Sequence, residues 1–131
     1  MPLHLPLPVT AEDFLAENHL CSLTTLRPDG TPHVAPVRFT WDGEAGLARV
    51  MTTVTRQKAR NVLAADGDRV AVCQSVGFRW ITLEGSATVS TDPPRLVEGA
   101  RRYTKRYWSA PPQLPGLAVI EIAVDRVMGM Y

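Results

Sequence analysis

The stretch Thr52-Thr53-Val54-Thr55-Arg56-Gln57-Lys58-Ala59-Arg60-Asn61 follows directly on the apolar run Leu47 to Met51. The pattern predicts a strand ending in threonines, then a helix over about 55–65 whose first turns carry Arg56, Lys58 and Arg60. Cations are unfavourable at a helix start, which carries partial positive charge. A bound anion removes that conflict. Free backbone N–H groups there, with Lys and Arg beside them, make a phosphate seat. The stretch points to a phosphate-bearing cofactor. The alternative is a solvated helix, with Ala59, Val62 and Leu63 as its dry stripe and the cations in water.

Two further segments have the chemistry to meet a ligand. His33-Val34-Ala35-Pro36-Val37-Arg38-Phe39 reads as a strand containing proline, which marks an edge or a bulge because proline donates nothing to the ladder. Its free main-chain groups would suit a flat heterocycle. Phe78-Arg79-Trp80 opens another strand and puts Trp80 on its wet face, over a ligand, at a subunit contact or at a barrel rim. No metal site is expected: the three histidines, His4, His19 and His33, lack ligand spacing, and the cysteines lack zinc spacing. His33 follows a turn and reads as an exposed pairing residue rather than a base. Nucleophile elbows and Walker loops are absent.

These residues need a scaffold. Thr10-Ala11-Glu12-Asp13 has the form of a capping box opening a short helix. Strands are expected over 21–27, 33–41, 47–53, 69–76, 80–90 and 117–124, the last with a possible extension to 131. Pro28-Asp29-Gly30-Thr31-Pro32 makes the first pair a hairpin. Over 80–90 the residues alternate, with Ile81, Leu83, Ala87 and Val89 on one side, and Gly85 marks a bulge or bend. Asp92-Pro93-Pro94 opens a helix over 95–108 with an apolar stripe of Leu96, Val97, Ala100, Tyr103 and Tyr107. Arg101, Arg102, Lys105 and Arg106 lie away from that stripe, in solvent or against an acidic ligand tail. Residues 109–116, with three prolines, read as a loop. The sum is a mainly β (α+β) chain with short helices, a small antiparallel barrel.

At 131 residues the chain supports one core, so 1–131 is expected to be a single domain with 1–9 as an extended proline-rich arm. A net charge of +1 gives no global field for nucleic acid, so any anion site must be local. No apolar run approaches a membrane span, and the N-terminus lacks the basic start of a signal peptide. Cys21 and Cys73 fall within strand-like runs. They read as buried thiols of a cytoplasmic protein, with a disulfide as the alternative.

Taken together, Leu-Thr-Thr-Leu-Arg-Pro-Asp-Gly-Thr-Pro-His-Val, Pro-Val-Arg-Phe, the Thr-Thr strand end with Gln-Lys-Ala-Arg-Asn, and Trp-Ile-Thr-Leu-Glu-Gly-Ser-Ala form a recognisable order. It resembles the pyridoxamine 5′-phosphate oxidase-like split-barrel proteins, and among them the deazaflavin (F420)-dependent reductases of the B class. The likeness runs from about residue 11 to 128. It implies a six-stranded antiparallel split β-barrel of the FMN-binding type and a homodimer with two cofactor sites at the interface. By motif, Thr52 and Thr53 would face the cofactor, and Arg56, Gln57 and Lys58 would hold its phosphate. Ala35, Pro36, Val37 and Arg38 would line the deazaflavin ring. Trp80, with Arg79 and Gln74, would complete the site, some of it from the second subunit.

The implied reaction is hydride transfer from reduced F420 to a conjugated small-molecule acceptor, a biliverdin-like tetrapyrrole first among them, with Arg38 or Arg79 steering acidic groups. Such chemistry requires no catalytic dyad, because the cofactor carries the difficult step. The rival readings are an FMN-dependent oxidase or reductase on the same barrel, and a non-catalytic carrier of a cofactor or tetrapyrrole. A nucleic-acid-binding barrel is disfavoured, since no basic stripe with interleaved aromatics is present.

Overall fold

The computed structural model describes residues 2, 3 and 5–131; Met1 and His4 lie outside the described residues. The arm contributes β1 (Pro2–Leu3), which pairs with the end of the chain at Val127 and Met128. Helix α1 (Val9–Ala16) buries Ala11, Phe14 and Leu15. The expected capping box does not form. The helix begins two residues earlier, with Pro8 as its cap and no side-chain cap hydrogen bond, so Thr10 already lies inside the first turn.

Strand β2 (Cys21–Leu26) and β3 (Pro32–Val37) form the expected hairpin. Its turn closes through Arg27 N–H to Thr31 O at 2.8 Å, with Gly30 at φ +87°. A side chain is disfavoured at that dihedral, which is why glycine sits there. Strand β4 (Phe39–Asp42) follows after the single residue Arg38. Here the chain departs from the continuous strand expected over 33–41. Residues before Arg38 pair with β2, and those after it pair with β5 (Leu47–Thr53). Helix α2 (Gln57–Ala64), β6 (Arg69–Val76), β7 (Arg79–Ser90), α3 (Pro93–Tyr107) and β8 (Leu117–Met130) complete the chain.

The sheet has eight strands rather than six, in the order β3-β2-β6-β7-β8-β5-β4 with β1 attached to β8. The split at Arg38 and the short β1 account for the difference. The two ends of this order, β3 and β4, are consecutive in the chain, so the curled sheet is closed by a covalent link through Arg38. All pairings are antiparallel.

The interior is filled by alternate residues of these strands, among them Leu23, Phe39, Val50, Val72, Ile81, Leu83, Ile120 and Ile122. Each such side chain contributes about 1.5–3 kcal/mol by leaving water. The register of β7 on β8 shifts between Glu84 and Gly85, the bulge that Gly85 foretold. A Cβ at Gly85 would collide with the Ala123 carbonyl, so the close approach of the two backbones demands glycine.

Helix α3 differs most from expectation. Its buried face is Gly99, Tyr103, Arg106 and Tyr107, whereas Val97 is 68% exposed. Arg106, expected in solvent, is 7% exposed and buried behind the helix. Its Nε donates to Glu17 O at 2.9 Å, Nη1 donates to Phe39 O at 2.7 Å, and Nη2 donates to Gln74 Oε1. The guanidinium thus ties α3 to the end of α1, to β4 and to β6, and satisfies acceptors that would otherwise be orphaned. A second polar layer sits under the same helix. Arg49 donates to Asp42 at 2.8 Å and to Glu121 at 3.4 Å, and Arg102 reaches Asp42 at 3.2 Å.

Candidate functional site

The end of β5 and the start of α2 make a cationic corner, where Arg56 and Lys58 line one groove. Val54 N–H donates to Gly116 O at 2.9 Å, which pins the strand end to the loop before β8. Arg56 N–H donates to Thr53 O at 3.2 Å, turning the chain into α2. The helix opens at Gln57, two residues later than expected, with Arg56 as its cap residue and no side-chain cap. Its first amides therefore lack a side-chain acceptor. Neither Arg56 nor Lys58 has a carboxylate partner among the described residues. Burial, and then the neighbouring Arg56 charge, hold the Lys58 ammonium below its usual lysine pKa. The Thr52 hydroxyl is buried and has no hydrogen-bond partner. Two unpaired cations, free helix-start amides and an orphaned hydroxyl together call for an anion.

A groove runs from this corner. One part is lined by Met51, Thr52, Thr53, Arg56, Lys58, Pro111, Pro112, Leu114 and Leu117. The adjoining part is lined by Leu20, Pro36, Val37, Arg38, Val50, Met51, Lys58, Tyr103 and Pro112. The two share Met51, Lys58 and Pro112, so a polar end leads into an apolar slot with Arg38 on its edge. Arg38 Nη1 donates to the Tyr103 hydroxyl at 3.3 Å, and the guanidinium lies 5.6 Å from the centroid of the Tyr107 ring. Donating to Tyr103 strengthens the guanidinium's hold on its proton.

Seven of the residues singled out from sequence meet in this groove: Pro36, Val37, Arg38, Thr52, Thr53, Arg56 and Lys58. Ala35 lies next to it, opposite Leu23 in the hairpin, without lining it. The Gln57 side chain is otherwise engaged. Its Nε2 donates to Asn61 Oδ1 at 2.6 Å, Asn61 in turn donates to Thr25 at 2.9 Å, and Gln57 Oε1 accepts from Arg60, so the side chain is tied along α2 and the backbone amide is its main offer to an anion.

Gln74, Arg79 and Trp80 do not line this groove within one protomer. Gln74 is fully buried. Its Nε2 donates to Phe14 O at 2.7 Å and its Oε1 accepts from Arg106, which leaves nothing free for a ligand. The alternation Val70, Val72, Gln74 along β6 puts it on the inner face. Trp80 is half-buried on the outer face of the barrel, opposite Ser75 and Met130. Arg79 makes a two-pronged pair with Glu17, at 2.9 and 3.0 Å, and covers the Phe14 ring. It is neutralised rather than poised to steer an acid. His33 pairs with Thr25 and is half-buried rather than exposed. Both cysteines are free thiols, so the disulfide alternative falls away.

The sequence reading missed Leu20, Met51, Tyr103 and the proline loop as groove walls. Tyr103 was visible only as one member of an apolar stripe, and the loop only as a break.

The Glu17 pair has a measurable consequence. Hydrogen bonds from Arg79 and then His19 lower its pKa from the ordinary 4.5 to about 2. A depressed carboxylate stabilises the fold above its unfolded pKa and ceases to do so as pH falls through the folded value. Calorimetric melting from pH 7 to 2 should therefore show a loss below about pH 4.5 that Glu17→Gln removes. The effect will be small, because the pair is partly exposed.

Comparison with known proteins agrees with this arrangement. An F420H(2)-dependent biliverdin reductase of Mycobacterium tuberculosis (strain CDC 1551 / Oshkosh) is 45% identical over 117 residues, 88% of this chain and 82% of that one. A solved structure titled F420 reductase superposes with a TM-score of 0.71 at 27% identity, covering 89% of this chain and 94% of the other. A conserved hypothetical protein of Mycobacterium tuberculosis superposes at 0.77, with 21% identity and coverage of 92% and 82%, and supports the fold alone. The family model for pyridoxamine 5′-phosphate oxidase matches residues 7–131. Fold and sequence match agree, and the chain belongs to the pyridoxamine 5′-phosphate oxidase family.

Proposed function

We propose that the protein is an F420-dependent reductase that passes a hydride to a conjugated acceptor, with a biliverdin-like tetrapyrrole as the favoured substrate. The supporting observation is the unpaired Arg56–Lys58 corner with the orphaned Thr52 hydroxyl, opening into an apolar slot. The relative named F420H(2)-dependent biliverdin reductase supports this choice of cofactor and acceptor.

The residues present fit such a group. Thr52, Arg56, Lys58 and the first amides of α2 would hold its phosphate, and Pro36, Val37 and Met51 would flank its ring. When bound, reduced F420 supplies the hydride. The chain supplies position: the slot excludes water, and fixing donor and acceptor carbons at about 3–3.5 Å accounts for much of the acceleration. Arg38, held by Tyr103, faces the same slot and would orient an acidic acceptor there. Tyr103→Phe should loosen that hold and raise KM for a carboxylated acceptor by about two- to tenfold, with F420 affinity unchanged. Steady-state kinetics with biliverdin check this.

We further propose a homodimer built on the outer face of the barrel. There Met130 is exposed opposite half-buried Trp80, and Val34 is exposed three strands away on β3, apolar points suited to a second copy. No helix among the described residues is long and apolar enough to cross a membrane. The free thiols Cys21 and Cys73 accord with a cytoplasmic site of action.

FMN competes for this reading, because a phosphate seat beside an apolar slot accepts either ring system. Fluorescence titration with F420 and FMN, followed by turnover of biliverdin, quinones and enones, decides between them. Tighter binding of F420 and reduction of biliverdin are expected. Protein that purifies yellow with flavin, or that binds F420 without reducing any acceptor, would replace this assignment with one of the rivals.

A further inference from the structure

Trp108 ends α3 at φ 57° and ψ 28°, the one non-glycine residue with positive φ among the described residues. A left-handed cap is normally glycine, since a Cβ there crowds the backbone, and a bulky residue in that region is an outlier. The indole is also 82% exposed, so folding gains little from it. Strain without a return in burial is characteristic of positions kept for function.

Its place in the fold says which function. Tyr107, the preceding residue, lies under the Arg38 guanidinium. Three residues further on, Pro111 and Pro112 line the groove. Asn18 Nδ2 donates to Tyr107 O at 3.5 Å, which brings the end of α1 to the same corner, and Leu20 beyond it lines the slot while remaining 65% exposed. Arg38 is exposed and has no carboxylate partner among the described residues. Leu20 and Arg38 thus line the slot as an exposed aliphatic and an unneutralised cation, and the exposed indole of Trp108 follows directly on Tyr107 beside them in the chain.

We infer that Trp108 forms an acceptor-binding platform: a planar conjugated molecule stacks on its indole against Leu20, with its carboxylate directed to Arg38. The assignment deepens the reductase reading and rests on it for the position of the reacting ring. It concerns the acceptor and leaves the cofactor seat untouched.

The test uses biliverdin as the probe, with binding measured by calorimetry on F420-loaded and on unloaded protein. Trp108→Gly removes the ring and the backbone strain together. Biliverdin affinity should fall by about two- to tenfold, the range of an aromatic stacking contact. F420 affinity should stay within about twofold, and Tm should hold or rise by up to about 4 °C as the cap becomes favourable. Trp108→Phe, which keeps a flat ring, should retain most of the biliverdin affinity.

Unchanged biliverdin affinity in Trp108→Gly overturns the platform. So does a lowered Tm, which would make the indole a folding residue, or a shift to monomer in light scattering, which would make it a subunit contact. Failure of the unaltered protein to bind F420 strikes the reductase reading instead. Biliverdin binding to the unloaded protein, and its dependence on Trp108, still decides the platform in that case.

Discussion

Lys58→Glu is expected to weaken F420 binding by about two to three orders of magnitude while leaving the melting temperature almost unchanged. A charge-assisted contact to phosphate is worth about 1.5–3 kcal/mol, and reversing the charge adds repulsion to the loss. The fold does not depend on Lys58, since the lysine has no ion pair and its burial is already unfavourable to its charge. The pH dependence follows with a definite sign. Without ligand the ammonium is held below its usual pKa by burial and by Arg56. An anion alongside favours the charged form, so affinity is full at neutral pH and declines as pH rises through the lowered lysine pKa. Fluorescence titrations from pH 6 to 10 check the slope. Wild-type affinity in Lys58→Glu would falsify the phosphate seat.

Arg106→Met is expected to destabilise the protein by about 3–5 kcal/mol, enough to lower Tm by about 10–20 °C. Loss of the guanidinium leaves Gln74 Oε1 with only the weak Cys21 thiol donor at 3.8 Å, deprives the Glu17 carbonyl of its donor and the Phe39 carbonyl of one of two, all in a buried site. Tyr107 OH still donates to Phe39 O at 2.6 Å, so the Glu17 and Gln74 acceptors bear most of the cost. Arg106→Lys should rescue little, because one ammonium does not span acceptors on α1, β4 and β6. Adding Gln74→Leu to Arg106→Met should cost less than the sum of the two, since the second change removes the group the first one strands. At temperatures where the variant is folded, F420 affinity should match the unaltered protein. Additive costs, or lost cofactor binding in folded protein, would show that Arg106 is not a structural tie.

Much of this molecule is legible in its residue order, for reasons that can be named. The Asp29-Gly30 turn and the alternation along β7 are local signals, and each appears in the structure close to where the pattern puts it. The bulge at Gly85 is likewise local, because only a residue without a side chain permits that approach of backbones. What escaped depends on partners distant in sequence. Arg106 sits four residues or fewer from Arg102 and Lys105, and helical spacing alone groups it with them. Only the carbonyls of Glu17 and Phe39, brought in from α1 and β4, make a buried guanidinium tolerable. Gln74 could have been placed correctly, since it shares the inward phase of Val70 and Val72. The break at Arg38 was hidden because the residues on both sides are strand-like, and the change of pairing partner is a property of the closed sheet. The proline loop and Tyr103 carry no local mark of a groove wall. They become one only when α3 packs across β5.

The covalent joint at Arg38 also bears on how copies of this chain behave when crowded. An open sheet ends in two rows of unanswered amides and carbonyls, each a template for a foreign strand. Here the terminal rows belong to successive segments of one backbone, and the β3 row carries Pro32 and Pro36, neither of which has a hydrogen to offer. A stray β-segment meets an interrupted ladder on that side, and fibre growth by strand addition loses its starting edge.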